Sequence, residues 1–395
     1  MTFYDALETR SADARAAAQL AALQDMVALV RAAPGNCLPE SDITDLNDLA
    51  TLPVLRKSQL ADWQAASRPF GGLPVANIAQ MFQSPGPIYE PGGVGHDWWR
   101  MGRFLHACGI GPGDVVQNCF GYHLTPAGHI FENGARAVGA VVIPAGTGQT
   151  DLQVRAAADL GATAYAGTPD YLKVILDRAA EMGVPLSFSK AAVGGGALFP
   201  SLRQEYADRG IQCLQCYATA DLGNIAYESP AQEGMILEEG VLVEIVRPGT
   251  GDPVPIGDVG EVVVTSLNPD YPLIRFATGD LSAMLPGLSP CGRTNLRIKG
   301  WMGRADQTAK IKGMFVRPEQ VAEFVARHAE ITAARVVVSR DGERDAMDIH
   351  VQADGGDEAA WADSVRQTLK LTGRIHRVDS LPNDGKVIED QRDYG

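Results

Sequence analysis

The sequence predicts an α/β protein with a large N-terminal domain of parallel α/β sheets plus a β subdomain, and a small α+β C-terminal domain. Three observations carry that prediction. Between about residues 110 and 200, short apolar β-branched runs alternate with helical stretches. From about 235 to 285 the texture turns to strands punctuated by Gly, Pro and Asp. After Arg304 the chain restarts with helix, strand, strand and helix over about 90 residues. The domains are therefore expected at 1–304 and 305–395.

Taken in order, residues 1–35 read as helical and amphipathic, and "DLATLPVLRKSQL" as a turn leading into a second helix. "DVVQNCF" and "AVVIPAG" are strands, separated by the helix "LTPAGHIFENGARAVG". The helix "TDLQVRAAADLG", the strand "ATAYAGTP" and the helix "DYLKVILDRAAEMG" follow. "KAAVGGGAL" is a strand entering a glycine-rich turn. Strands spaced by helices in this way make βαβ units and a parallel sheet. "EGVLVEIV", "GEVVVTSL" and "PLIRFATGDL" read as antiparallel strands. In the last domain "PEQVAEFVARHA" is a helix, "AARVVVSR" and "AMDIHVQA" are strands, "DEAAWADSVRQTLKL" is a helix, and the rest is a tail.

Composition bounds the function. The chain has 395 residues, 45% hydrophobic and 21% charged, and a net charge of −14. That field repels nucleic acid and anionic lipid, so neither is expected as a partner. No apolar run approaches the roughly 20 residues of a membrane helix. The N-terminus lacks the basic and apolar regions of a secretory signal, and the cytoplasm is the expected location. Six sparse cysteines fit reduced thiols. The pair in "CLQC", Cys213 and Cys216, lies in a strand-like run, where cysteine is most often simply buried.

Several stretches combine residues suited to phosphate chemistry. Gly194, Gly195 and Gly196 follow an apolar strand and precede a helix; without Cβ atoms their backbone can approach a flat or anionic ligand. Read plainly, they are a tight turn. In "CYATADLGNIAYES", Tyr217 can stack on a base, Thr219 can bind phosphate and Asp221 magnesium, although an Asx-type turn explains the pattern equally. In "LIRFATGDLSAM", Asp280 can take two ribose hydroxyls as a bidentate acceptor. Arg304 suits a phosphate oxygen, and Asp306 falls where the texture changes, as a hinge would. Lys386 follows a glycine in a C-terminal turn; alone, such a lysine is ordinarily a solvated surface charge.

These pieces occur together, in one order. The set "LATLPVLRKSQL", "CFGYHLTPAGHIFENGARAVGAVVIPAGTGQT", "GGGALFPSLRQ", "YATAD", "VVVTSLNPDYPLIRFATGDL", "GRADQTAKIKGMFVRPEQV" and "DGKVIEDQR" resembles the adenylate-forming (acyl-CoA synthetase) superfamily, and within it the phenylacetate–CoA ligase branch. The resemblance implies an ATP-dependent acid–CoA ligase that activates an aryl or small organic carboxylate as an acyl-adenylate and passes it to CoA. It implies ATP/AMP, Mg2+ and coenzyme A as ligands. By the same resemblance Gly196, Ala197 and Leu198 flank the adenine, and Tyr217 stacks on it. Asp280 holds the ribose and Arg304 lies near phosphate or ribose. Ser84 and Gly86 belong to the phosphate loop, Tyr122 and His123 line the acyl pocket, and Asp306 is the hinge. Lys386, Asp221 and Thr219 serve the adenylation centre, Asp221 as the magnesium carboxylate. A homodimer is compatible with the sequence.

Three departures stand out. The family's phosphate loop is a Ser-Ser-Gly-Thr-Thr-Gly-Lys run; this chain has "QSPGPIYEP", with Ser84, Gly86 and Pro91 matching and Glu90 in place of the lysine. An anion facing polyphosphate in a dry site is unfavourable by several kcal/mol. The magnesium carboxylate is Asp221, one methylene shorter than glutamate. Some relatives carry a cysteine-rich zinc site, but here Cys291 stands alone where tetrahedral zinc needs about four ligands, so no structural zinc is expected. The altered loop leaves an alternative: a relative that keeps the fold and binds an acid, adenylate or CoA thioester without ATP-driven ligation.

Overall fold

The computed structural model describes residues 2–33, 38–84, 87–305, 307, 309–311, 314–341 and 344–392. The chain divides into two compact units. One comprises Met1–Val243, Val264–Phe276 and Leu285–Trp301; the other comprises Glu244–Val263, Ala277–Met284 and Met302–Gly395.

The first unit opens with helix α1 (Ala12–Arg31). Ser11 caps it by accepting the Ala14 N–H, one of the first-turn donors that has no partner inside the helix. Leu23, Val27 and Val30 of α1 pack with Leu49, Leu52 and Ile274. Ionic contacts fix the segment as well. Arg10 and Arg15 share the Glu239 carboxylate at 2.6 and 3.0 Å, and Glu8 pairs with Arg293, each side chain only 1% exposed. Strand β1 (Leu55–Arg56) leads into α2 (Lys57–Ala66), and β2 (Gln80–Ser84) and β3 (Ile88–Gly92) form an antiparallel hairpin ahead of α3 (Gly102–Ala107).

The βαβ region follows the expected alternation: β4 (Val115–Asn118), α4 (Ala127–Ala137), β5 (Val141–Pro144), α5 (Thr150–Asp159), β6 (Ala164–Gly167), α6 (Pro169–Met182), β7 (Lys190–Val193), α7 (Pro200–Asp208) and β8 (Gln212–Thr219). Strands β5, β4, β6, β7 and β8 pair in that order, all parallel. Ala164, Ala166, Ala192 and Leu214 join one apolar cluster, and Tyr165, Ala191, Val193 and Cys213 join another. Successive strand residues face opposite ways, so this sheet is covered on both faces. That is why its strands read as continuous apolar runs without alternation. Cys213 and Cys216 are buried in β8, and burial pushes the Cys213 thiol up to about 12.

Strand β8 pairs antiparallel with β9 (Gly223–Glu228), and β9 with β10 (Met235–Leu237). The chain then runs through β11 (Val241–Val246), β12 (Val259–Ser266) and β13 (Phe276–Leu285), each divided between the two units, before β14 (Arg297–Ile298) pairs with β10.

In the second unit, β15 (Ala309–Ile311) pairs with β16 (Met314–Val316). Helix α8 (Pro318–Ala326), β17 (Ile331–Asp341), β18 (Arg344–Ala353), α9 (Glu358–Thr368), β19 (Arg374–Val378) and β20 (Ile388–Asp390) complete it. The sheet order is β19-β18-β17-β20, with the central pair antiparallel and the outer strands parallel to their neighbours. Phe324, Val336, Val338, Ile349, Val351, Trp361, Val365 and Ile388 form its core. The segment read from sequence as a tail therefore supplies both edge strands. Strand β19, "RIHRV", is too polar to register as a strand by pattern, because an edge strand presents mostly charged side chains to water.

Candidate active site

The hairpin of β2 and β3 is the stretch in which the sequence places a phosphate loop. Phe82 stands opposite Glu90 and Ser84 opposite Ile88. Gly86 lies outside the described residues. Glu90 is fully buried, and its carboxyl accepts the Ser84 backbone N–H at 3.2 Å and the Ser84 hydroxyl in a short hydrogen bond. The donors that Ser84 could offer a phosphate oxygen are thus engaged by an internal carboxyl. Burial, and secondarily the charge of Asp221, push the Glu90 carboxyl up to about 7.

Asp221 sits in the turn between β8 and β9 and is itself buried. Its Oδ2 accepts from Lys57 Nζ, at the start of α2, at 2.9 Å. Its Oδ1 is sealed from solvent with no hydrogen-bond partner among the described residues. The Tyr271 hydroxyl is likewise buried and unpartnered; burial raises it well above the phenol range, with Asp221 and then Glu90 adding to the effect. Thr219 Oγ1 accepts the Leu222 N–H at 3.1 Å and closes the turn, which Gly223 continues at φ +71°. Sequence reasoning singled out Thr219 and Asp221 but not Lys57, whose only signal was its position in "LATLPVLRKSQL".

The glycine turn after β7 leaves Gly196 and Ala197 exposed, while the Leu198 side chain enters the core with Tyr165 and Tyr206. Gly195 adopts φ +68°, and the Gly196 carbonyl accepts from Gln215 Nε2 at 2.7 Å. A Cβ at Gly194 would come within 3.0 Å of Cys216 Sγ, so the turn needs glycine for closeness as well as for conformation. Tyr217 is largely buried in β8. Tyr122 is half-buried with its ring against Gly128, and its hydroxyl accepts from Asn118 Nδ2 at 2.8 Å; His123 is exposed.

The second unit gathers three motifs that are distant in sequence. Arg304 Nη1 donates to Asp280 Oδ1 at 3.0 Å, and the two residues form an isolated antiparallel bridge. Asp280 is positioned by its backbone N–H donating to Thr278 Oγ1, which in turn donates to the Val262 carbonyl. The turn carrying Lys386 packs beside this strand. Gly385, at φ +69°, lies so close that a Cβ would meet Val259 at 2.8 Å and Leu281 at 3.0 Å. Gln307 holds the same turn, its Oε1 accepting the N–H groups of Val387 and Ile388 at 2.8 and 2.9 Å. Lys386 itself is exposed. Asp306, the residue read as the hinge, lies outside the described residues. Gln307 was missed in the sequence, because a glutamine beside a texture break carries no pattern.

No family model matches the chain. It is 30% identical over 375 residues to a phenylacetate–coenzyme A ligase of Pseudomonas putida, covering 88% of this chain and 84% of that protein. It is 29% identical over 327 residues to that of Thermus thermophilus, covering 78% and 72%. Among solved structures it resembles an open conformation of 2-hydroxyisobutyryl-CoA ligase in complex with 2-HIB-AMP and CoA. That match has a TM-score of 0.71 at 23% identity and covers 95% of this chain and 91% of that one, a likeness of fold. The chain belongs to the phenylacetate–coenzyme A ligase branch of the adenylate-forming superfamily.

Proposed function

We propose that the protein is an AMP-forming acid–CoA ligase that acts on an aryl or small organic carboxylic acid. The observation that carries this reading is the Lys386 turn, held by Gln307 and seated by Gly385 beside the strand of Asp280. A protein with no adenylation to perform has little need for a lysine so placed.

In the first half-reaction a carboxylate oxygen of the acid attacks the α-phosphorus of ATP. The new P–O bond forms as the bond to the bridging oxygen breaks, and pyrophosphate leaves. Charge builds on the α-phosphate oxygens and the attacking carboxylate, and the Lys386 ammonium offsets it. Asp280 binds the ribose hydroxyls and Arg304 a phosphate or ribose oxygen, while Tyr217 and the Gly196–Leu198 turn take the base. In the second half-reaction the CoA thiolate attacks the acyl carbon, a C–S bond replaces the C–O bond, and AMP departs. The free, buried Oδ1 of Asp221 fits a hard cation. Magnesium bound there would neutralise phosphate charge.

One observation favours the second reading, a relative that binds an acid, adenylate or thioester without ligation: the Glu90 carboxyl already engages Ser84. A single assay separates the two. With ATP, magnesium and a panel of aryl acids, the ligase releases pyrophosphate, and Lys386→Ala lowers the rate at least about 100-fold. Binding of AMP or CoA without pyrophosphate from any acid would instead establish the second reading.

A further inference from the structure

Beside Tyr122 the first unit holds a polar pair set among aromatic rings. Gln80, the first residue of β2, and His129, in the first turn of α4, approach with Nε2 of Gln80 3.2 Å from Nδ1 of His129. The amide nitrogen donates, so Nδ1 accepts and the imidazole proton sits on Nε2. The His129 ring meets Phe82 at 5.1 Å and 44°, and Tyr122 edge-on at 5.1 Å and 75°. Tyr122 is fixed in turn by Gly128 behind its ring and Asn118 at its hydroxyl.

Two polar atoms of the pair have no protein partner among the described residues: the donor His129 Nε2–H and the acceptor Gln80 Oε1. Neither is sealed off, and both residues are half-buried. Aromatic rings continue toward the glycine turn: Phe120 stacks on Phe131 at 4.1 Å, and a Cβ at Gly195 would touch Phe120 at 3.7 Å. Aromatic rings around one free donor and one free acceptor match a flat ligand that carries a hydroxyl, because a hydroxyl accepts one hydrogen bond and donates another.

We propose that Gln80 and His129 determine the specificity of the acyl site, and that its acid is a hydroxyaryl carboxylic acid. The proposal rests on the reading of Tyr122 as an acyl-pocket residue. The hydroxyl accepts from His129 Nε2 and donates to Gln80 Oε1 while the ring lies against Phe82 and Tyr122. A plain aryl acid leaves both groups unpaired, and for a site that keeps some contact with water that amounts to about 10- to 100-fold in kcat/KM.

The test compares matched pairs, hydroxyphenylacetate with phenylacetate and hydroxybenzoate with benzoate, by pyrophosphate release and by calorimetric binding of the acid alone. The wild type should favour the hydroxylated member about 10-fold or more. Gln80→Leu and His129→Phe should each bring that ratio toward one, and His129→Gln, which keeps a donor, should partly restore it. Thermal melts identify any variant that fails to fold, and Gln80→Leu, the milder change, then carries the comparison. A wild-type ratio near one, or a ratio that neither variant alters, overturns the proposal. Hydroxyl-dependent binding that the variants lose, in a protein that releases no pyrophosphate, upholds the proposal and overturns the ligase reading instead. Failure to bind either acid of each pair overturns the assignment of the pocket.

Discussion

At the scale of single residues, Glu90 is where the chain departs furthest from its relatives, and burial changes what that departure means. The carboxyl does not face solvent as a misplaced anion; it is enclosed and bonded to Ser84. Its value moves from 4.5 to about 7 on folding. A carboxyl raised in this way stabilises the fold fully below the unfolded value and loses that contribution as pH rises through the folded one. Glu90→Gln should therefore gain on the wild type between pH about 4.5 and 7, by about 3 kcal/mol in all. Chemical denaturation across that range checks it, and parallel curves for the two proteins would refute it. The comparison must be with the variant, because Asp97, also raised to about 7 mainly by burial, titrates over the same window. Glutamine is the informative substitution: lysine would place an unpaired charge in a closed space. From the sequence one can read that Glu90 replaces a lysine. Its surroundings include the charges of Lys57 and Asp221, 164 positions apart, and Ser84 across the hairpin, and no local pattern brings those together.

At the scale of elements, what could be read ahead was whatever buries a regular face. The helices and strands from residue 115 to 219 follow their patterns, because the helices carry an apolar face and the strands, covered on both faces, are short unbroken apolar runs between them. The hairpin of β2 and β3 was hidden by its prolines. Pro91 nevertheless sits within β3, at a position of this two-stranded ladder where the partner strand needs no N–H, so the donor that proline lacks is not missed. The turn at Gly385 and Lys386 was legible only as a motif. The structure adds its physical requirement, a glycine at φ +69° pressed against Val259 and Leu281. Gly385→Ala meets both the conformational and the steric penalty, about 1–3 kcal/mol. Pyrophosphate release should fall at least about 10-fold, with little change in the melting temperature of the first unit; full activity would mean that the turn's position is unimportant.

At the scale of the whole molecule, the second unit is discontinuous in sequence, yet among the described residues the core beneath its four-stranded sheet is drawn from those between Ala309 and Ile388. That core closes without the segments Glu244–Val263 and Ala277–Met284. Met302–Gly395 produced alone should therefore fold cooperatively, with a sigmoidal urea transition and dispersed amide resonances. A fragment of Met1–Trp301 should be less soluble than the full chain, because it retains those segments without their partners. A non-cooperative C-terminal fragment would show that the two segments are required for its stability.

The pairing of Glu8 with Arg293 has a consequence in time. A chain leaves the ribosome N-terminus first, at about 5–20 residues per second, so about 15–60 s separate the emergence of these two side chains. Throughout that interval Glu8 has no cation to follow it out of water, and an unpaired carboxylate resists burial. The segment that carries Glu8 must therefore be among the last parts of the first unit to settle, and its docking against Arg293 reports that the intervening chain has already emerged.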